Sequence, residues 1–216
     1  MSLNQELTDL LTAEGCTILG FADLRILQEE PRKKLDTGII VGFPYTAEGM
    51  KENLAGNPDK FWRDAGATFE PLERFTEKVV QFLKERKYKA NTKTYKQTVV
   101  TAKTVGTLSG IGWIGRCAML TTKETGPALR LSVILTNAPF ECGTPITKSL
   151  CPEDCTACAD ICPAGAVKGG LWERGVHRDE FFDVTACGKG RGNKKNPCNN
   201  LCIAVCPYAK TGLGYE

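Results

Sequence analysis

Apolar residues at Leu3, Leu7, Leu10 and Leu11 recur at helical spacing, and Ser2 with Gln5 forms a capping box, so a helix is predicted over Ser2 to Glu14. Cys16 to Ala22 and Gly38 to Phe43 are short apolar runs bounded by turn residues and predict buried strands. Tyr45 to Asp59 is polar and punctuated by Gly, Asn and Pro, which predicts a connection. The strongest helical pattern spans Thr68 to Arg86, with a Thr cap, Pro71 in the first turn, and Leu72, Phe75, Val79, Phe82 and Leu83 on one face. Another helix is expected from about Thr98 to Leu108. Cys117 to Thr122 and Leu129 to Thr136 flank Lys123-Glu124-Thr125-Gly126-Pro127 and predict a hairpin. Strands and helices mixed in this way indicate an α/β (α+β) layered domain over residues 1–140. From Glu141 onward Cys, Gly, Pro and Lys dominate and large aliphatics thin out. Residues 141–216 are therefore expected to form a second unit whose fold depends on metal ligation.

Composition narrows the class only modestly. The chain has 216 residues, 42% of them hydrophobic, which supports an ordinary core, and a formal charge of +3 that by itself indicates no nucleic-acid partner. No apolar run reaches the length of a membrane span, so no membrane association is expected. Met1 to Leu11 carries Glu6 and Asp9 and lacks a basic start, unlike a secretory signal. Reduced, metal-ligating cysteines fit a cytoplasmic location.

The cysteines change the picture most. Eight of the eleven fall in two cassettes, Cys151-x3-Cys155-x2-Cys158-x3-Cys162-Pro163 and Cys187 followed by Cys198-x3-Cys202-x3-Cys206-Pro207. In two-cluster ferredoxins a run of close thiolates ends in Cys-Pro, and its fourth cysteine ligates the other cluster. On that rule Cys151, Cys155, Cys158 and Cys206 hold one 4Fe-4S cluster, and Cys187, Cys198, Cys202 and Cys162 hold the second. Zinc is the competing reading for thiolates in sets of four, although zinc sites usually repeat C-x2-C pairs. The x3 gaps after Cys151 and Cys198 depart from the ferredoxin x2 spacing, which keeps Cys142 open as an alternative to Cys151. Cys16 and Cys117 sit among apolar neighbours and read as small buried hydrophobes.

His177, the single histidine, lies in a charged stretch and reads as an exposed residue, and a catalytic triad or multi-histidine metal centre is excluded. Gly188 to Asn196 reads as a basic loop inside the second cassette. Softening the cluster's negative charge, docking an acidic redox partner such as flavodoxin or ferredoxin, and binding a phosphate-bearing ligand all fit it.

Ser109-Gly110-Ile111-Gly112-Trp113-Ile114-Gly115-Arg116 contains Gly-x-Gly-x-x-Gly, but after a helix and before a strand, the reverse of a dinucleotide fingerprint. Close backbone approach by a flat ligand and a plain tight turn both fit it. With Gly126-Pro127-Ala128-Leu129-Arg130-Leu131, Val133-Ile134-Leu135-Thr136-Asn137-Ala138-Pro139 and the two cassettes, this segment resembles epoxyqueuosine reductase and its shorter relatives over about residues 95–210. The resemblance implies two 4Fe-4S clusters in a C-terminal ferredoxin-like domain packed on an α/β domain. It also implies cobalamin or another corrinoid between the two, as in the related reductive dehalogenases. Gly110, Gly112, Trp113, Gly115 and Arg116 would then lie against the corrin.

Two departures bear on substrate. The tRNA enzyme continues into a helical-repeat tail, whereas this sequence ends at Glu216, ten residues after Cys206. The enzyme also carries an aspartate proton donor before the glycine segment, whereas no Asp or Glu occurs here from Asn91 to Lys123. Both argue against a tRNA substrate. Tyr95-Lys96 occupies roughly the missing acid's place, and reductive dehalogenases use a tyrosine helped by a basic neighbour, since a cation lowers a phenol's pKa. The competing reading is a strand-edge tyrosine beside a solvated lysine. Two functions follow: a reductase acting on a small substrate, or a dedicated ferredoxin-type electron carrier without an organic cofactor.

Overall fold

The computed structural model of the chain describes residues 1–92, 100–193, 195 and 197–216. In chain order the first elements are α1 (Leu3–Ala13), β1 (Ile18–Asp23), α2 (Glu29–Arg32), β2 (Thr37–Pro44), α3 (Ala47–Leu54), α4 (Pro58–Ala67), α5 (Phe69–Glu85), β3 (Ala90–Asn91) and α6 (Ala102–Leu108). There follow β4 (Trp113–Ile114), β5 (Leu120–Thr121), β6 (Leu129–Thr136), α7 (Ala157–Asp160), α8 (Arg178–Phe181), α9 (Val184–Gly192), α10 (Leu201–Ala204) and α11 (Pro207–Leu213). These divide into two compact units that alternate along the sequence. The first comprises Met1–Phe43, Ala67–Gly112 and Arg130–Ile146, and the second Pro44–Gly66, Trp113–Leu129 and Thr147–Glu216. The shift in composition at Glu141 marks where aliphatics thin out, not which segments pack together. Residues 44–66 and 113–129 accordingly join the cysteine-rich segment.

In the first unit a sheet runs in the order β1-β2-β6-β3. β1 and β2 are antiparallel, with Ile18 opposite Gly42 and Asp23 opposite Thr37, and β3 pairs antiparallel with β6. β1 alternates buried and half-buried positions, as a strand with one covered face must. β2 is buried at its first six positions, which explains its continuous apolar run. The Ser2 hydroxyl accepts the Gln5 N–H at 3.2 Å and starts α1 where the capping box predicts. Leu7 and Leu11 of α1 meet Phe75, Val79 and Leu83 of α5 over Ile39, Val41 and Ile134 of the sheet. Phe75 is fully buried. Phe75→Ala should therefore destabilise this unit by about 3–5 kcal/mol, measured by urea unfolding. A loss under about 1 kcal/mol would mean that the stripe is not the core.

Several sequence expectations are corrected. The Tyr45 to Asp59 connection contains α3 and the start of α4. The Thr46 hydroxyl accepts the Gly49 N–H at 3.0 Å to cap α3, and Met50 and Asn53 are buried at helical spacing behind a deceptive glycine. Thr68 precedes α5, but its hydroxyl accepts from Arg130 Nε at 2.8 Å instead of capping the helix. α6 begins at Ala102 behind a Thr101 cap, and Thr98 lies outside the described residues. The expected hairpin has the right turn and the wrong partner. Thr122 bridges Gly126, but β5 pairs with β4 and β6 belongs to the larger sheet. Gly188–Gly192 is helical rather than a loop, because Asp183 caps α9 and Gly190 lets it close on Ala164.

The second unit's core joins Met50, Phe61 and Ala65 of α3 and α4 to Ile203, Ala204 and Ala209 of α10 and α11, with Tyr215 donating to the Ala204 carbonyl at 2.7 Å. Among the described residues between Thr147 and Asn200, the buried apolar ones are Ala166, Val167, Phe181, Phe182 and Cys198. That stretch has little core of its own. Among the described residues no helix is long and apolar enough to cross a membrane.

Candidate metal centre

Cys151, Cys155, Cys158 and Cys206 line one cavity in the second unit, with Cys117 and Cys202 also on its wall. Burial pushes the Cys206 thiol up to about 11, helped by Cys151 and Cys158 beside it. The Cys158 thiol is raised well above the ordinary range, first by a hydrogen bond with Cys117 and then by burial. Thiols packed this closely repel one another as thiolates, and a polyvalent cationic centre is what relieves that repulsion. Among the described residues no three His, Cys, Asp or Glu side chains converge on a point where a single ion would sit. The thiols are distributed around a cavity instead.

Local geometry explains how each thiol gets there. The extra residue between Cys151 and Cys155 is taken up in a turn closed by the Cys155 N–H on the Pro152 carbonyl, at 3.2 Å. Cys158 rides on α7, and Cys206 is the residue immediately before α11 with Pro207 at its first position. Proline there has the preset φ a helix start needs and removes an N–H that lacks a helical partner anyway. This is the physical content of the Cys-Pro signature.

Three side chains hold the loop that carries Cys151. Tyr208 donates to the Leu150 carbonyl at 3.0 Å, and Trp113 Nε1 donates to Cys151 Sγ at 3.4 Å. The two rings meet edge to face at 4.9 Å. Arg116, 6% exposed, donates to the carbonyls of Pro152 (3.1 Å), Glu153 (2.6 Å) and Gly169. Its Nε is buried and has no acceptor among the described residues. An anionic group with acceptor atoms in the cavity would meet that need, so the donor set and the orphaned N–H both fit an iron–sulfur cluster.

The second set is positioned differently. Cys162 Sγ accepts the Ala166 N–H at 3.3 Å, Cys187 rides on α9, and the Cys198 N–H donates to the Gly190 carbonyl at 3.3 Å. Cys202 lies on α10. The x3 gap before it is absorbed by two consecutive left-handed residues, Asn199 (φ 45°) and Asn200 (φ 58°). Asn53 Nδ2 reaches the Asn199 carbonyl at 2.9 Å and Trp62 Nε1 its side-chain oxygen at 3.2 Å. Asparagine tolerates this conformation better than residues without a short polar side chain. Asn200→Ala should cost about 1 kcal/mol in thermal unfolding and Asn200→Gly almost nothing. Equal losses would place the effect in the side chain rather than the backbone.

The glycine segment divides between the units. Gly110 and Gly112 belong to the first. Gly110 has φ +78°, and a Cβ there would come 2.4 Å from the Thr144 carbonyl oxygen, so a tight turn requires it. Trp113, Gly115 and Arg116 belong to the second unit, where Gly115 and Arg116 line the thiol cavity and Trp113 bonds Cys151. Cys142 lies in the first unit, exposed, with its thiol on the Phe140 carbonyl at 3.5 Å, whereas Cys151 is at the cavity. Cys16 is buried in the first unit's core. Cys117 is buried too, but beside Cys158 and Cys202 rather than in an apolar pocket. His177 is exposed and caps α8 by accepting the Asp179 N–H. Tyr95 and Lys96 lie outside the described residues. Sequence reasoning missed Tyr208 and Cys117 at the cavity. Tyr208 follows directly on Cys206-Pro207, which was the available signal; Cys117 offered none.

No family model matches the chain. It is 37% identical to the epoxyqueuosine reductase of Bacillus subtilis over 142 residues, 60% of this chain and 34% of that protein. The chain spans 28% to 53% of the length of the leading curated relatives it matches. In fold it is similar to the epoxyqueuosine reductase of Streptococcus thermophilus, with a TM-score of 0.60 at 15% identity over 97% of this chain and 67% of that one. It is also similar in fold to a reductive dehalogenase whose structure suggests a mechanism for B12-dependent dehalogenation, with a TM-score of 0.68 at 17% identity over 93% of this chain and 31% of that one. By sequence the chain is similar to the epoxyqueuosine reductases, and it shares its fold with them and with the reductive dehalogenases.

Proposed function

We propose that the chain holds two 4Fe-4S clusters, the first on Cys151, Cys155, Cys158 and Cys206 and the second on Cys162, Cys187, Cys198 and Cys202. It passes electrons to a corrinoid or a small substrate. The observation that carries the reading is the cavity itself, with the first set of four thiols around it and a buried Arg116 N–H that has no partner among the described residues. Thiols spread around a space suit a polynuclear cluster better than one zinc ion. When bound, the clusters supply one-electron transfer at low potential. This chain's residues fix the ligand loops, exclude water and donate hydrogen bonds to ligand sulfur. The Trp113 bond to Cys151 should raise the first cluster's potential, because a donor stabilises the more electron-rich reduced sulfur. Trp113→Phe is expected to lower that potential in an EPR-monitored titration while leaving the second cluster's unchanged.

Exposed Lys189 and Arg191 on the last turn of α9, with Lys195 beyond it, would dock an acidic donor such as flavodoxin or ferredoxin. In the reductase form of this reading Tyr95, beside Lys96, donates a proton to the reduced substrate. The carrier alternative draws on a specific observation. Trp113, Gly115 and Arg116, the residues the resemblance places against a corrin, serve the thiol cavity. The test is anaerobic reconstitution followed by titration with cob(II)alamin. Saturable binding with an altered cobalt spectrum supports the reductase; no binding to protein with two reducible clusters supports the carrier. Failure to take up iron overturns both.

A further inference from the structure

The first cavity carries more thiols than a cluster uses. Of the six on its wall, Cys151, Cys155, Cys158 and Cys206 form the first ligand set, Cys202 belongs to the second, and Cys117 belongs to neither. Cys117 sits in the turn between β4 and β5, closed by the Gly115 N–H on Met119 at 2.9 Å and by the Ala118 N–H on Gly115 at 2.8 Å. Ala118 holds a left-handed φ of 57° there, which is uncommon for a residue with a Cβ. The Cys117 side chain is 6% exposed and lines the same cavity as Cys158 and Cys202. A small apolar residue would fill the same volume without placing another polar group among the ligands.

We propose that Cys117 is an exchange ligand of the first cluster, the side chain that takes over the iron held by Cys158. This rests on reading the cavity as a cluster site. In the exchange the Cys158 Sγ–Fe bond breaks and a Cys117 Sγ–Fe bond forms. The Cys117 proton passes to the Cys158 Sγ released on the same cavity wall. No electron is gained or lost. The consequence is a cluster that keeps its fourth iron when Cys158 is removed or chemically blocked.

The experiment compares anaerobically reconstituted wild type, Cys117→Ala, Cys158→Ala and the double variant, by iron content per chain and by EPR. Cys158→Ser and its double with Cys117→Ala guard against a folding defect specific to alanine. Wild type, Cys117→Ala and at least one Cys158 variant should hold equal iron. The corresponding double should lose about one iron per chain and show the signal of a three-iron cluster, or lose the cluster altogether. Dependence on Cys117 decides the matter. If both Cys158 variants lose iron as fully as their doubles, or keep it regardless of Cys117, the proposal fails. A wild type that takes up no iron instead overturns the reading of the cavity, so the two failures are distinguishable.

Discussion

Replacing Arg116 with methionine should destabilise the second unit by about 3–5 kcal/mol and strip most of the iron from the first cavity. The guanidinium is buried and donates to three carbonyls, those of Pro152, Glu153 and Gly169. Hydrogen bonds from a charged donor contribute roughly 1.5–3 kcal/mol each, and water recovers part of that where the loop can relax. Methionine keeps the apolar volume but takes the donor from the Glu153 and Gly169 carbonyls and leaves Pro152 with the Cys155 N–H. Pro152 and Glu153 lie between Cys151 and Cys155, so loosening their carbonyls would misplace two of the proposed ligands at once. Loss of the positive charge compounds the effect, because Arg116 favours the thiolate form of Cys158. Arg116→Lys should recover only part of the loss. An ammonium is a point charge and cannot reproduce a planar fork that reaches several carbonyls. Urea unfolding of reconstituted protein and iron per chain after desalting measure both effects. A methionine variant with wild-type midpoint and iron content would show that the clamp is ornamental.

The contrast between Arg116 and the cysteines shows what a sequence of this kind makes legible. Thiol spacing is covalent information, and it grouped Cys151, Cys155 and Cys158 with Cys206, 48 positions further on; all four are among the six cysteines that line the cavity, though Cys202 and Cys117 line it as well. The α1 and α5 stripes were equally plain, because helical periodicity records burial directly. What could not be read was partnership between segments. Arg116 and Trp113 stood in a glycine-rich run whose pattern fits a ligand cradle, yet their side chains are used on the cysteine loop. Cys117 reads as apolar from its neighbours Ala118 and Met119, and only the β4–β5 turn brings it to Cys158. α3 was hidden for a similar reason. Its helicity rests on the Thr46 cap and on Met50 packing with Phe61, which outweigh the glycine in its first turn. α9 carries Gly188, Gly190 and Gly192, poor helix formers, and is helical because a glycine lets it approach Ala164.

Removing the iron should open the stretch from Thr147 to Asn200 while leaving the first unit folded. The first unit has a continuous apolar cluster between two helices and a sheet, and none of the cassette thiols contributes to it. Thr147 to Asn200 has helices of four residues at α7 and α8, bridges as isolated as Lys148 with Glu173, and few buried apolar side chains. Burying a side chain of valine or phenylalanine size is worth roughly 1.5–3 kcal/mol, whereas ordering each backbone residue costs about 1–2 kcal/mol. Over such a stretch the apolar gain falls well short of the ordering cost, and on the proposed two-cluster reading ligation makes up the difference. The closely placed thiols work in the same direction, since without a metal centre they must stay protonated in a buried space. After anaerobic chelation, hydrogen exchange in α7, α8 and α9 should approach unprotected rates, while α1, α5, β1 and β2 keep their protection. Residues of α3, α4, α10 and α11 should fall between, because Met50, Phe61, Ile203 and Ala209 retain a core of their own. If Thr147 to Asn200 stays protected in fully iron-free protein, its fold is set by its own packing, and the thiols are passengers on it.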